Sequence, residues 1–342
     1  MAACYLNGDM ANPDPFRALV LENTGGTFHA AIQHLPASSL PEGDVLVSVA
    51  YSSLNYKDAL AVTNRGKIAR RFPMVPGVDF SGVVVESKSS RFAPGDPVVL
   101  TGCGVGEEHW GGFAQLARVK SDWLLPLPEG LTLKSAMSIG TAGLTAMFCV
   151  MTLQEHGIRP GRGEVLVTGA TGGVGCVAVM VLAKLGYRVA ASTGKTDAHE
   201  LLKSIGAQEI IDRREWATRT DKPLESGRWA GAIDSVGGET LAGLLRQMQR
   251  DGCVAAVGLA GGAELHTTVY PFILRAVSLI GVSSVYASMD RRHTAWARLA
   301  HVLPLETLER ITRTARLDDL PALCGQMIDG KTRGRVVIDV NG

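Results

Sequence analysis

A β-friendly run, "EVLVTG", passes directly into glycines at three-residue spacing, Gly169, Gly172 and Gly175, and on into an apolar helical stretch. No other part of this 342-residue chain restricts its fold as tightly. A strand that runs through so short a turn into a buried helix belongs to a βαβ unit, whose next strand lies parallel to the first. In G-x-x-G-x-x-G, glycine permits the sharp turn and the close approach of helix to strand. The helix N-terminus then presents N–H groups without intrahelical acceptors, which suit phosphate oxygens. The stretch reads as the pyrophosphate loop of a dinucleotide site. A purely structural turn is the bland alternative.

The surroundings favour the first reading. Six short apolar strands alternate with helical segments: "EVLVTG", "RVAAST", "EIID", "WAGAIDSV", "GCVAAVGL" and "SLIGVSS". That rhythm predicts an α/β, doubly wound parallel-sheet Rossmann domain over residues 144–286. Before it lie short β-like runs broken by Gly and Pro, such as "DVLVSVAYSSL" and "VDFSGVVVES", which predict a mostly-β domain. After it come an amphipathic helix, another near 319–329, and a strand "GRVVIDV" expected to rejoin the first domain. The expected division is therefore 1–143 with 287–342, and 144–286.

Composition removes several classes of function. Lys and Arg number 34 against 33 Asp and Glu, a net charge of +1, which gives no electrostatic case for nucleic acid or a membrane surface. The six cysteines (Cys4, Cys103, Cys149, Cys176, Cys253 and Cys324) show neither CxxC nor a disulfide framework. With no secretory signal in "MAACYLNGDMANPDPF", a cytoplasmic protein is expected. Ser135 to Gln154 carries no formal charge and is long enough to span a bilayer, but its glycines, threonines and serines point to a buried helix.

The second strand of the nucleotide unit chooses between cofactors. An NAD-type site places an Asp or Glu near its end to accept from the ribose 2′-hydroxyl. Here the strand ends in Ser192, Thr193, Gly194 and Lys195, and the first carboxylate is Asp197. Hydroxyls, a glycine and a lysine suit a 2′-phosphate, and Arg213 after the third strand adds a second cation. NADPH is the expected cofactor; a solvent-exposed loop that touches nothing is the other reading.

Longer motifs now stand out in order: "SSLNYKDAL" (52–60), "FPMVPGVDFSG" (72–82), "LTGCGVGEEHWGGFAQLARV" (100–119), "IGTAGLTAM" (139–147), "VTGATGGVG" (167–175) and "WAGAIDSVG" (229–237). From about Arg17 onward the chain resembles the medium-chain dehydrogenase/reductase superfamily. Within it, the chain is most similar to the zinc-free acrylyl-coenzyme A reductase branch, the YhdH-type quinone oxidoreductase-like proteins. The resemblance implies a GroES-like substrate domain beside the Rossmann domain, and a cleft between them. It also implies NADPH-dependent reduction of the C=C bond of a 2-enoyl thioester, acrylyl-CoA giving propanoyl-CoA, in a homodimer.

Zinc-dependent relatives carry "GHE" where this chain has Gly77-Val78-Asp79, so no metal is expected. Cys103 and His109 flank Glu107 and Glu108 in a suggestive cluster, but flexible loops commonly collect such residues. Without a Lewis acid, hydrogen-bond donors must stabilise the enolate that forms when hydride reaches the β-carbon. By resemblance Tyr56 lies beside the nicotinamide, where its hydroxyl either delivers the proton or simply holds the cofactor. Asn55 and Asp58 read as residues that fix this turn, and Lys57 as either a surface or a site charge. The resemblance further places Thr171, Gly172, Gly173 and Val174 at the pyrophosphate, Leu259 against nicotinamide and Ser283 at its carboxamide. For Arg70 and Arg71 two readings stand: a solvated charged loop, or contacts to the phosphates of coenzyme A. Two competing functions remain, a quinone or enal/enone reductase and a non-catalytic NADPH-binding protein.

Overall fold

The computed structural model describes residues 15–217 and 222–342. Of the first sixteen residues, which precede the motifs above, 1–14, with Cys4, lie outside the described residues. The chain divides into two compact units: residues up to Thr141 with Thr312–Gly342, and Ala142–Ile311.

The second unit is built on six parallel strands: β1 (Glu164–Val167), β2 (Arg188–Thr193), β3 (Glu209–Asp212), β4 (Trp229–Asp234), β5 (Met248–Ala256) and β6 (Ser278–Gly281). Their order across the sheet is β3-β2-β1-β4-β5-β6. Chain order therefore reverses between β1 and β4, the switch point at whose carboxyl ends ligands of such sheets bind. Every residue of β4 is buried, as is nearly all of β1. Covering both faces explains why these strands read as unbroken apolar runs rather than alternating ones.

This unit also claims Met289–Val302, the amphipathic helix placed with the other domain from sequence, together with a short helix Leu305–Arg310, while the helix expected near 319–329 is Leu320–Ile328 and belongs to the first unit. Met289–Val302 packs against the helix Gly173–Lys184, and Arg291 pairs with Glu155 at 2.7 Å while Arg298 bonds Gln154 at 2.8 Å. An amphipathic pattern announces a covered face without naming what covers it.

The first unit folds around a seven-stranded, largely antiparallel sheet. Its path is Thr312–Arg316, Arg335–Asp339, Val45–Ser53, Asp79–Ser87, Pro97–Thr101, Leu125–Pro126, with Leu116–Val119 also on Val45–Ser53. The C-terminal strand enters beside Val45–Ser53, pairing Val337 with Ser53. A hairpin, Phe16–Thr24 with Thr27–Leu35, lies against it. Successive side chains of its first strand enter different cores: Leu19 and Leu21 join Val47, Phe80 and Phe113, while Phe16, Ala18 and Val20 join Val75 and Leu116.

The uncharged stretch near Ser135–Gln154 lies in helix Leu133–Glu155, long and apolar enough for a membrane span yet 94% buried over its most apolar window. It is broken at Gly140 (φ 51°, ψ −161°). A Cβ there would fall 2.5 Å from Ser53 Oγ, 2.6 Å from Arg335 Nη2 and 3.0 Å from Asp79 Oδ2, so only glycine fits.

Candidate active site

The glycine loop closes at the end of β1. Gly169 adopts φ 58°, and a Cβ on Gly175 would lie 2.4 Å from the Gly169 carbonyl oxygen. Gly172 N–H is consumed by the same carbonyl at 2.9 Å. In the first turn of the 12-residue helix that follows, the amides of Gly173, Val174 and Gly175 have no intrahelical acceptor. Thr171 is buried; Gly172 is exposed. Behind the loop, buried Asp234 accepts from Thr168 Oγ1 at 2.6 Å and Gly237 N–H at 2.8 Å, tying the ends of β1 and β4 together. Burial raises the Asp234 carboxyl above the ordinary range. Thr168 and Asp234 were not singled out from sequence, although both stand within quoted motifs, "VTGATGGVG" and "WAGAIDSVG".

The residues at the end of β2 take different parts. Ser192 turns inward, its hydroxyl accepting from Trp216 Nε1 at 2.9 Å, so it braces the strand rather than lining the surface. Side-chain alternation along a strand dictates this, and a composition argument cannot see it. Thr193 is buried and accepts the Lys195 N–H at 3.0 Å. Arg213 crosses directly over Gly194, where a Cβ would lie 2.3 Å from its Nε. Thr193, Gly194, His199 and Arg213 border a depression of about 250 Å³. Asp212 borders it too, but hydrogen bonds from Arg214 pull its carboxyl down to about 2, holding it ionised with its charge paired to that guanidinium. Among the described residues Arg213 forms no salt bridge, although Asp212 also feels its charge, and with two arginines to one carboxylate the depression keeps a net positive charge. Leu259 and Ser283 share a second, more open depression of about 510 Å³ at the ends of β5 and β6.

Tyr56 is the first residue of helix Tyr56–Val62 and is 40% exposed. The turn before it is held by buried polar groups. Asn55 N–H donates to Asp58 Oδ2 at 2.9 Å, and Asp58 Oδ1 accepts the Val78 N–H at 2.9 Å. Asn55 Nδ2 reaches Asp79 Oδ2 at 3.0 Å. Asp79 also accepts from Ser53 N–H at 2.9 Å and Thr141 N–H at 2.7 Å. Arg335, 2% exposed, donates to Ser53 Oγ and to the Ser138 carbonyl, both at 2.8 Å. Burial, then the neighbouring Asp79 charge, push the Asp58 carboxyl up to about 7. Asn55 and Asp58 thus fix the turn, as their residue types suggest. Arg335 and Asp79 carried no sequence signal, because their partners lie far away along the chain.

Lys57 is paired with Glu107 at 2.9 Å. His109 Nε2 lies 2.7 Å from the Arg118 carbonyl, Cys103 Sγ turns to Thr101 O, and burial holds the His109 imidazole below its usual range. Among the described residues, no three His, Cys, Asp or Glu side chains are grouped to hold a metal ion.

Comparison with known proteins bears on the whole chain. The family described as Alcohol dehydrogenase GroES-like domain matches residues 41–129, and the one described as Zinc-binding dehydrogenase matches residues 173–301. Acrylyl-CoA reductase AcuI of Ruegeria pomeroyi is 51% identical over 95% of this chain and 99% of its own length. The crystal structure of the Salmonella enterica yhdH oxidoreductase in complex with NADP is 54% identical, with a TM-score of 0.92 over 95% of this chain and 100% of that one. Bacillus subtilis yhfP, crystallised with NAD bound, is 44% identical with a TM-score of 0.90 over 95% of this chain and 99% of that one. The chain belongs to the medium-chain dehydrogenase/reductase superfamily, in the family of acrylyl-CoA reductase AcuI and the yhdH oxidoreductases.

Proposed function

We propose that this protein is an NADPH-dependent reductase of the C=C bond of acrylyl-CoA, yielding propanoyl-CoA. The observation that carries the reading is end-to-end identity of 51% with a protein named for that reaction. The choice of NADPH over NADH rests on Arg213 lying across Gly194, with Lys195 next in the chain and no uncompensated carboxylate in the depression. A glycine whose Cβ would collide with a guanidinium reads as a position kept bare for that cation.

The unit with the parallel sheet holds the cofactor. Gly173 and Val174 amides, flanked by Thr171 and Gly172, meet the pyrophosphate; Thr193, Gly194, Lys195 and Arg213 meet the 2′-phosphate. Backbone at Leu259 and the hydroxyl of Ser283 hold the nicotinamide amide. NADPH, when bound, supplies the hydride that reaches the substrate β-carbon. The unit with the antiparallel sheet supplies Tyr56, whose hydroxyl gives its one proton to the α-carbon of the thioester enolate and is then reprotonated from solvent.

We also read the site as zinc-free. Val78 stands where zinc-dependent relatives place a histidine, and Asp79 is already committed to Ser53, Asn55 and Thr141. The cytoplasm is the proposed location. A homodimer is proposed through the edge strand β6, beside which Ile273, Leu274 and Tyr286 are exposed.

Relative kcat/KM for acrylyl-CoA and a small quinone, each with NADPH, tests the central claim. Preference for the quinone by orders of magnitude replaces the reading with a quinone reductase. NADPH binding with no turnover of any unsaturated acceptor replaces it with a non-catalytic binder. Tyr56→Phe is expected to lower kcat about tenfold or more; an unchanged kcat restricts Tyr56 to holding the cofactor.

A further inference from the structure

The segment "NRGKIARRFP", residues 64–73, is not used by the chemistry above. It places Arg65, Lys67, Arg70 and Arg71 within seven residues with no acid among them. All four cations are exposed. Among the described residues Lys67 and Arg70 form no salt bridge, and Arg65 reaches Asp329 only at 3.8 Å.

This segment is held in shape rather than left loose. Arg70 N–H donates to the Glu107 carbonyl at 2.8 Å, and Arg71 places both Nε and Nη2 on the Glu108 carbonyl. Trp110 Nε1 donates to Pro73 O at 3.1 Å, and Leu21 and Met74 exchange backbone hydrogen bonds. Between the cations and this anchor, Phe72 is 38% exposed, with Phe28 edge-on beside it at 6.2 Å. An exposed ring backed by a second ring, next to the held Arg71 guanidinium and the exposed Arg70 and Lys67 side chains, is a stacking platform beside an anion site.

One residue joins this platform to the proposed reaction centre. Glu107 pairs with Lys57, the neighbour of Tyr56, and its carbonyl fixes Arg70. The same pairing neutralises the Glu107 carboxylate, so the segment keeps a positive excess despite exposed Glu108.

We propose that residues 65–72 form the docking site for the 3′-phosphorylated adenosine diphosphate of the coenzyme A substrate. Lys67, Arg70 and Arg71 take the phosphates and Phe72 takes the adenine face. The inference rests on the enoyl-thioester reading and deepens it: the acyl end lies at Tyr56 and the nucleotide end on this segment. Binding energy realised at the remote end then helps orient the reacting end.

The test uses two substrates, acrylyl-CoA and the acrylyl thioester of pantetheine, which keeps the acyl group and arm but lacks the nucleotide. The unmodified protein is expected to show a KM for acrylyl-CoA about tenfold or more below that for the pantetheine thioester. That gap narrows as salt rises from low to physiological ionic strength. Arg70→Gln with Arg71→Gln, which keeps side-chain length, is expected to close most of the gap, and Phe72→Ala part of it. Equal KM values in the unmodified protein, or a gap untouched by all three substitutions, overturn the docking site while leaving the reductase intact. Turnover of neither thioester by the unmodified protein overturns the reductase reading itself, and the docking site with it.

Discussion

The two units prepare their sites by opposite means. In the parallel-sheet unit the surface proposed for the cofactor is shaped by missing side chains: Gly169 and Gly175 let backbone approach backbone, and Gly194 makes room for Arg213. In the antiparallel unit the turn that carries Tyr56 is fixed by half-buried Asn55 and by the buried side chains of Asp58, Asp79, Ser53 and Arg335. A backbone cradle costs little to desolvate, because its amides are satisfied by the loop or by the ligand. Buried ionic groups are another matter, since each depends on its partner to remain tolerable. The contrast teaches that binding here is supported locally and positioning is supported globally.

Breaking the global network should have the largest effect. Arg335→Leu removes the donors to Ser53 Oγ and Ser138 O and leaves Asp79 without its neighbouring cation. The expected loss is about 3–5 kcal/mol of stability, read by urea unfolding. Arg213→Ala is the local counterpart. Because Arg213 is exposed, stability should stay within about 0.5 kcal/mol. The dissociation constant for NADPH should rise about 10- to 100-fold, and that for NADH far less, as isothermal titration would show. If Arg335→Leu costs no more stability than Arg213→Ala, the contrast between the units is wrong. If Arg213→Ala weakens both cofactors equally, Arg213 does not read the 2′-phosphate.

The same contrast explains what could be read before any coordinates. Gly169, Gly172 and Gly175 act on neighbours a few residues away, so their spacing announced the loop, and the six strands followed from apolar runs of the right length. The position of Arg213 near the end of β2 was legible for a similar reason, since it stands one residue beyond the end of β3. Ser192 was less so: its type suits phosphate, but strand alternation turns it inward to Trp216. Arg335 meets Ser53 across 282 positions, and nothing in "TRGRVVIDV" hints at a buried guanidinium. The helix Met289–Val302 was seen as a helix yet given the wrong neighbours, because its period records burial and not the identity of the covering surface.

Each unit also buries a carboxylate whose pKa burial raises, Asp58 in one and Asp234 in the other, and this gives the finest probe of the comparison. A raised carboxyl binds its proton more tightly in the folded chain than in the unfolded one. Stability from that group is therefore full below its unfolded value near 4 and is lost as pH climbs through the folded value of about 7. Asparagine mimics the protonated acid in shape and cannot ionise. Because asparagine keeps only one of the two acceptor oxygens used by Asn55 and Val78, Asp58→Asn should cost about 1–3 kcal/mol at pH 4, while the decline in stability between pH 4 and pH 8 should shrink by more than about 1 kcal/mol. Asp234→Asn offers the control in the other unit, and part of the decline should survive in either single variant. Unfolding temperatures from pH 4 to pH 8 decide it. A decline left whole by Asp58→Asn would mean that Asp58 ionises as freely folded as unfolded, and that burial alone does not set the state of the turn before Tyr56.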